Sequence, residues 1–275
     1  MNVAQALERG AALGLERLDA QLLLLHALGR SLNDRGWLLA HDTDSIDENL
    51  ALAYVAVCEK RATGYPIAYI TGHKEFHGLD LEVDRRVLVP RPDTETLVDW
   101  ALELIEPNPA ARIIDLGTGS GAIALAIKHA SPRATVHATD ASPDALAVAR
   151  SNAARLKLDV QFHETSWLDG IAGVWDFIVS NPPYVAQADP HLPALRDEPV
   201  EALVAGADGL DAVRAIVGAA PVHLALGGWL LLEHGHDQAP AVRRLLGEAG
   251  FGYVATRRDL AGIERCTSGQ WLEPG

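Results

Sequence analysis

Asn181-Pro182-Pro183-Tyr184 sets an amide side chain, two rigid residues and an aromatic ring directly behind the apolar run Phe177-Ile178-Val179-Ser180. Proline locks its own φ, and Pro183 restricts Pro182 to an extended backbone, so the Pro182 carbonyl is held in one direction. That carbonyl and the Asn181 side-chain oxygen are two acceptors, a match for the two hydrogens of a planar amide or exocyclic amino nitrogen. The lone pair of such a nitrogen is delocalised, so the help it needs is orientation toward an electrophile in a near-attack geometry. Tyr184 would then pack on the planar group. Taken alone, Asn-Pro-Pro is also an ordinary strand-ending turn.

A second constellation weighs against the turn reading. Asp115-Leu116-Gly117-Thr118-Gly119-Ser120-Gly121 follows the apolar run beginning at Ile113 and opens a helical stretch, the context of a nucleotide-binding glycine loop. Its G-x-G-x-G spacing differs from the G-x-G-x-x-G that seats a pyrophosphate, and no P-loop lysine follows. Nineteen residues beyond Gly121 lies Asp140, a carboxylate suited to accepting two ribose hydroxyls. Ser142 and Pro143 fit the N-cap and first position of the next helix, holding that acid at a sharp junction. A nucleoside-bearing sulfonium donor on the loop and a planar nitrogen at Asn181 amount to N-methylation, with S-adenosylmethionine as the expected cofactor.

These residues need a scaffold that brings strand ends together. Apolar runs near 113–116, 135–139, 160–163, 177–180, 229–233 and 253–256 alternate with helical patterns at 93–105, 122–130, 144–156, 210–219 and 239–249. Such alternation predicts a mostly parallel sheet covered by helices. Residues 1–72 read differently, as helices over 3–12, 18–28 and 46–62. Between these parts, Phe76, Leu79, Leu81 and Val83, then Val87, Leu88 and Val89, suggest a short hairpin as the joint. The expected division is a helical domain at 1–72, a hairpin linker at 73–90 and a catalytic domain at 91–275.

Composition narrows the partners. Lys and Arg number 23 against 37 Asp and Glu, a net charge of -14 that leaves no basic domain to track a nucleic-acid backbone. Cys58 and Cys266 lie far apart without metal-ligand spacing, so both are expected to be reduced and no metal is expected. No leader pattern or long apolar run occurs, which makes a cytoplasmic location the default and a membrane role unsupported. One rival reading is an N6-adenine methyltransferase of DNA or RNA, because the same motif can hold the amino group of a flipped base. Another is a non-catalytic nucleotide-binding module, against which the intact tetrapeptide argues.

Beyond the two motifs the chain resembles the PrmC/HemK family of N5-glutamine methyltransferases. The likeness runs through Asp19-Ala20-Gln21-Leu22-Leu23-Leu24, Pro66-Ile67-Ala68-Tyr69-Ile70-Thr71-Gly72, Glu75-Phe76-His77-Gly78-Leu79 and Val89-Pro90-Arg91-Pro92-Asp93-Thr94-Glu95. It continues in the tetrapeptide, in Glu198-Pro199 and in Leu232-Glu233-His234-Gly235. The resemblance implies an α/β fold, a Rossmann-like class I methyltransferase domain behind a small helical domain and a β-hairpin linker. It also implies methylation of the glutamine of a Gly-Gly-Gln loop in class I peptide chain release factors, the expected protein partners. By the same resemblance Asp115, Gly117, Thr118, Gly119, Ser120, Gly121, Asp140, Trp167 and Asn181 hold the donor. Asn181, Pro182, Pro183 and Tyr184 bind the substrate, with Asn181, Pro182 and Tyr184 catalytic. Ser166 stands where the family often has an acid, with Glu164 two residues earlier, which leaves the adenine side open. Read without the resemblance, Trp167 is a helix-packing aromatic; Arg91 and Glu95 fit either a surface ion pair or a substrate-side contact, and the structural role is the expected one.

Overall fold

Five helices built on short apolar stripes open the computed structural model, which describes residues 1–272: α1 (Val3–Ala12), α2 (Arg17–Ala27), α3 (Arg35–Ala40), α4 (Glu48–Ala62) and α5 (Ile67–Thr71). Helix α1 begins in a capping box, Asn2 Oδ1 accepting from the Gln5 amide at 2.8 Å while Gln5 Oε1 accepts from the Asn2 amide at 3.0 Å. Asp47 caps α4 from one side only, its side chain accepting from the Asn49 and Leu50 amides. Leu23, Leu24 and Leu25 of α2 are fully buried with Tyr54 and Cys58 of α4. Each such leucine contributes roughly 1.5–3 kcal/mol through burial. Arg61 ties α4 to Asp19 of α2 at 2.6 Å. Helices α3 and α5, of six and five residues, are too short to show a period, and the sequence did not reveal them. The chain divides by its contacts into two compact units, Met1–His73 and the remainder from Lys74.

A small hairpin follows, β1 (His73–Phe76) and β2 (Leu79–Glu82). Val87, Leu88 and Val89, expected in the hairpin, are not strand. Asp84 and Arg86 close a turn before them, and the Val89 amide donates instead to the Glu198 carboxylate at 3.1 Å. The expected Arg91–Glu95 pair also does not form: Arg91 bonds Glu198 at 2.5 Å, and Glu95 accepts from the His77 amide at 3.0 Å.

A 3₁₀ turn at Pro92–Thr94 leads into α6 (Glu95–Ile105), then β3 (Arg112–Leu116), α7 (Ala122–Ala130), β4 (Thr135–Asp140), α8 (Pro143–Leu156), β5 (Val160–Glu164) and β6 (Trp175–Ser180). Helix α9 (Asp211–Ala219), β7 (Leu224–Glu233), α10 (Ala239–Glu248), β8 (Phe251–Arg258) and β9 (Glu264–Trp271) complete the unit. The seven strands lie in the order β5-β4-β3-β6-β7-β9-β8. The first five are parallel, and β9 runs antiparallel between β7 and β8. Ile113, Ile114, Ile178, Val179, Leu230 and Leu231 are fully buried, as strands of a covered parallel sheet must be. From β3 the chain winds outward to β4 and β5 and then returns to β6 on the other side. The carboxyl ends of β3 and β6 therefore flank the switch point where open sheets of this kind bind ligands.

Candidate active site

Gly117, the first residue beyond β3, has φ of +69°, and a Cβ there would stand 3.2 Å from the Trp167 ring. Only glycine lets the loop pass under that ring without strain. Gly121 caps α7 at φ +86°, where a Cβ would press on Leu125 and Ala149, so its role is to let the helix start against α8. Asp140, at the end of β4, uses both carboxylate oxygens: one accepts from the Gly119 amide and the other from the Ser142 amide, each at 2.9 Å. The acid thereby fixes the glycine loop and the start of α8 together. Ser142 caps α8 by accepting from the Ala145 amide at 3.2 Å, with Pro143 in the first position as expected.

A cavity of about 350 Å³ opens between these strand ends. Gly117, Gly119, Asp140, Trp167, Asn181 and Pro183 border it, so two glycines of the loop, the acid and two residues of the tetrapeptide face one space. Thr165 and Ser166 line it beside Trp167, whereas Glu164 is exposed. Trp167 lies in a turn rather than a helix and has φ of +49°, a conformation costly for a bulky residue and characteristic of sites that over-determine it. Part of its ring also packs on the core beside Leu168 and Ile171.

Other expected residues sit behind the walls. Asp115 is fully buried beneath the loop, accepting from the Thr118 hydroxyl at 2.6 Å and the Ala124 amide at 3.3 Å. Burial pushes its carboxyl up to about 7, against the pull of those two bonds. Thr118, Ser120 and Gly121 are likewise buried and do not border the cavity. Pro182 is buried and Tyr184 half-buried, and neither lines it. Burial, with nearby Glu233, pushes the Tyr184 hydroxyl up to about 12.

Asn181 borders the cavity with its amide nitrogen engaged, Nδ2 donating to Thr94 Oγ1 at 3.1 Å. Its Oδ1 remains an available acceptor. Beside it, Glu233 at the end of β7 is 1% exposed, and burial pushes its carboxyl up to about 7. Neither Glu233 oxygen reaches full hydrogen-bond geometry, but the side chains of Thr94 and Asn181 stand at the margin of bonding to it and, with the charge of Arg265, draw that value down.

Sequence reasoning missed several walls. Arg86, Val87 and Leu88 line the cavity, as do Pro199, Glu201 and Ala202, and Glu198 clasps the two segments by taking Val89 and Arg91. Asn152 of α8 was missed as well. Fully buried, it accepts from the Glu82 amide at 2.7 Å and donates to the Glu82 and Ser120 carbonyls at 2.9 and 3.0 Å, joining the hairpin to the glycine loop. The apolar triplet at 87–89 and the Glu198-Pro199 pair were visible signals, but nothing local marked them as walls.

A mostly parallel sheet whose glycine turn, Asp140 and the Asn181 and Pro183 side of the tetrapeptide meet at one cavity defines a methyltransferase of the Rossmann-like class. The family model for the PrmC N-terminal domain matches residues 2–72, and that for the methyltransferase small domain matches residues 97–208. The release factor glutamine methyltransferase of Xylella fastidiosa is 48% identical over 269 residues, covering 96% of this chain and 97% of that protein. Its counterpart from Bordetella pertussis is 48% identical over 260 residues, covering 93% and 95%. The chain belongs to the release factor glutamine methyltransferase family. Among solved structures, the hMettl16 catalytic domain in complex with MAT2A 3'UTR hairpin 6 shares the fold at a TM-score of 0.56, with 18% identity over 79% of this chain and 82% of that one. A methyltransferase from Pyrococcus furiosus does so at 0.55, with 18% identity over 71% and 90%. Among the described residues no helix is long and apolar enough to cross a membrane.

Proposed function

We propose that this enzyme methylates the side-chain amide nitrogen of the glutamine in the Gly-Gly-Gln loop of class I peptide chain release factors, using S-adenosylmethionine. The observation that carries the reading is the Asn181 carboxamide, committed through its nitrogen to Thr94 and free to accept through its oxygen beside the cavity of the glycine loop and Asp140. The cavity fits a nucleoside donor. Its volume is within the usual range for such ligands, Gly117 leaves room under Trp167, and Asp140 retains lone pairs beyond its two backbone bonds. Gly117, Gly119, Asp140 and Trp167 would hold the donor, with Asp115, Thr118, Ser120 and Gly121 shaping the loop from beneath. Bound there, S-adenosylmethionine supplies an electrophilic methyl on a sulfonium.

The chain's own contribution is orientation. Asn181 Oδ1 and the Pro182 carbonyl each accept one N–H of the substrate amide, turning its nitrogen toward the cavity, and Tyr184 and Pro183 border the flat group. A strong base is unnecessary because the polarised N–H can release its proton late. Residues 1–72 serve as a docking domain for the protein substrate, residues 73–90 as a linker, and residues 91–275 carry the chemistry. An acidic surface and a translational substrate are both in keeping with action in the cytoplasm and without a nucleic-acid partner. The test is Asn181→Ala: kcat should fall by at least about a hundredfold while S-adenosylhomocysteine still binds. Unaffected turnover would remove Asn181 from the mechanism.

A further inference from the structure

Ser180 of β6 and Leu232 of β7 are paired in the parallel register, so the next residues along each strand, Asn181 and Glu233, come abreast at the sheet edge. Glu233 is an anomaly there. A buried carboxylate held only by marginal contacts is costly, and two other buried acids, Glu198 and Asp259, avoid that cost. Glu198 holds Arg91 and the Val89 amide, while Asp259 accepts from Ala261, Ile263 and Arg265. Arg265, the cation beside Glu233, is already engaged by Asp93 and Asp259 at 3.2 Å each. Fold stability therefore gives no reason for a carboxylate at Glu233.

The neighbouring amide gives one. The two ends of a carboxamide are nearly equal in shape, and only their hydrogen-bond partners distinguish oxygen from nitrogen. Thr94 touches the Asn181 amide, but a hydroxyl both donates and accepts, so it would tolerate either end. Above the value of about 7 to which burial pushes it, Glu233 is ionised and only accepts. Set next to Thr94 and Asn181, it draws the Thr94 hydroxyl proton toward itself, which leaves the Thr94 lone pairs for Asn181 Nδ2. It also repels Oδ1. We propose that Glu233 and Thr94 form a positioning pair that locks the Asn181 carboxamide with Oδ1 presented to the substrate. This rests on the reading of Asn181 as the acceptor of a substrate N–H.

The test uses the full-length enzyme with Glu233→Gln, Thr94→Val, Thr94→Ser and Asn181→Ala. S-adenosylhomocysteine titration reports the donor site, and thermal melting reports the fold. Glu233→Gln is nearly isosteric but can offer N–H to Asn181 Oδ1, allowing the wrong end to face out. It should lower kcat at saturating donor by about tenfold or more, with donor affinity kept within about threefold. Its melting temperature should change little, because glutamine keeps the size and one acceptor while a buried charge is removed. Thr94→Val should lose kcat likewise, and Thr94→Ser, which retains the hydroxyl, should restore most of that loss. The double variant Glu233→Gln/Thr94→Val should be little worse than the worse single one, since both act through one amide. Full kcat in Glu233→Gln, or losses that merely track donor affinity or melting temperature, would overturn the proposal. If Asn181→Ala is inactive while Glu233→Gln is fully active, only the positioning pair fails. If Asn181→Ala itself turns over normally, the underlying reading fails and the pair with it.

Discussion

Replacing Asp140 with asparagine separates the donor site from the methyl-transfer site. The carboxylate takes one backbone N–H on each oxygen, from Gly119 and from Ser142, both at 2.9 Å. Asparagine keeps one acceptor and turns an NH₂ group toward the other backbone N–H. At least one charge-assisted bond is lost, a change of about 1.5–3 kcal/mol, and the apo enzyme should lose up to that much stability in a denaturant titration. The same carboxylate is the expected partner of the donor's ribose, so S-adenosylhomocysteine measured by calorimetry should bind about 10- to 100-fold more weakly. Because the hydrogen bonds of Asp140 go to Gly119 and Ser142 and that of Asn181 to Thr94, kcat at saturating donor should stay within a few-fold of the parent. Donor affinity within about twofold of the parent would refute the assignment of Asp140, and a collapse of kcat with normal affinity would place it in the chemistry instead.

Two further predictions concern the supports beneath the site. Asn152→Ala leaves the Glu82 amide and the Glu82 and Ser120 carbonyls without their buried partner and should cost roughly 2–4 kcal/mol in denaturant unfolding; a loss below about 1 kcal/mol would mean water or a shift of the hairpin replaces it. Asp115 has a folded pKa near 7, above the roughly 3.9 of an unfolded aspartate, so the folded state binds its proton more tightly. The resulting stabilisation is present in acid and is lost as pH rises from about 4 through 7. Asp115→Asn should therefore gain stability relative to the parent between pH 5 and pH 8, and a difference that stays constant across that range would contradict the assignment.

The parallel strands were legible because burial on both sides forces runs such as Ile113-Ile114 and Phe177-Ile178-Val179, and the start of α8 because Ser142 and Pro143 carry their own positional chemistry. Strand β9 was not legible. Its residues Glu264, Arg265, Thr267, Ser268 and Gln270 are polar, and it is a strand because β7 and β8 pair with it on either side. Val87, Leu88 and Val89 misled in the opposite sense: Val87 and Leu88 serve a cavity wall, and Val89 gives its backbone amide to Glu198, more than a hundred residues away. The site motifs were visible as adjacent residues, whereas Thr94, Asn152, Glu198 and Glu233 act across the sheet. Register and tertiary contact bring them together, and no local spacing announces either. Arg91 shows the same limit: a neighbour in sequence, Glu95, was the obvious partner, and Glu198 is the actual one.

The measurement that bears most directly on the central claim is methyl transfer from labelled S-adenosylmethionine to three separate substrates: a class I release factor, the same factor with its Gly-Gly-Gln glutamine changed to alanine, and DNA. Label should appear on the unaltered release factor alone. Equal label on the alanine variant, or label on DNA, would contradict the account.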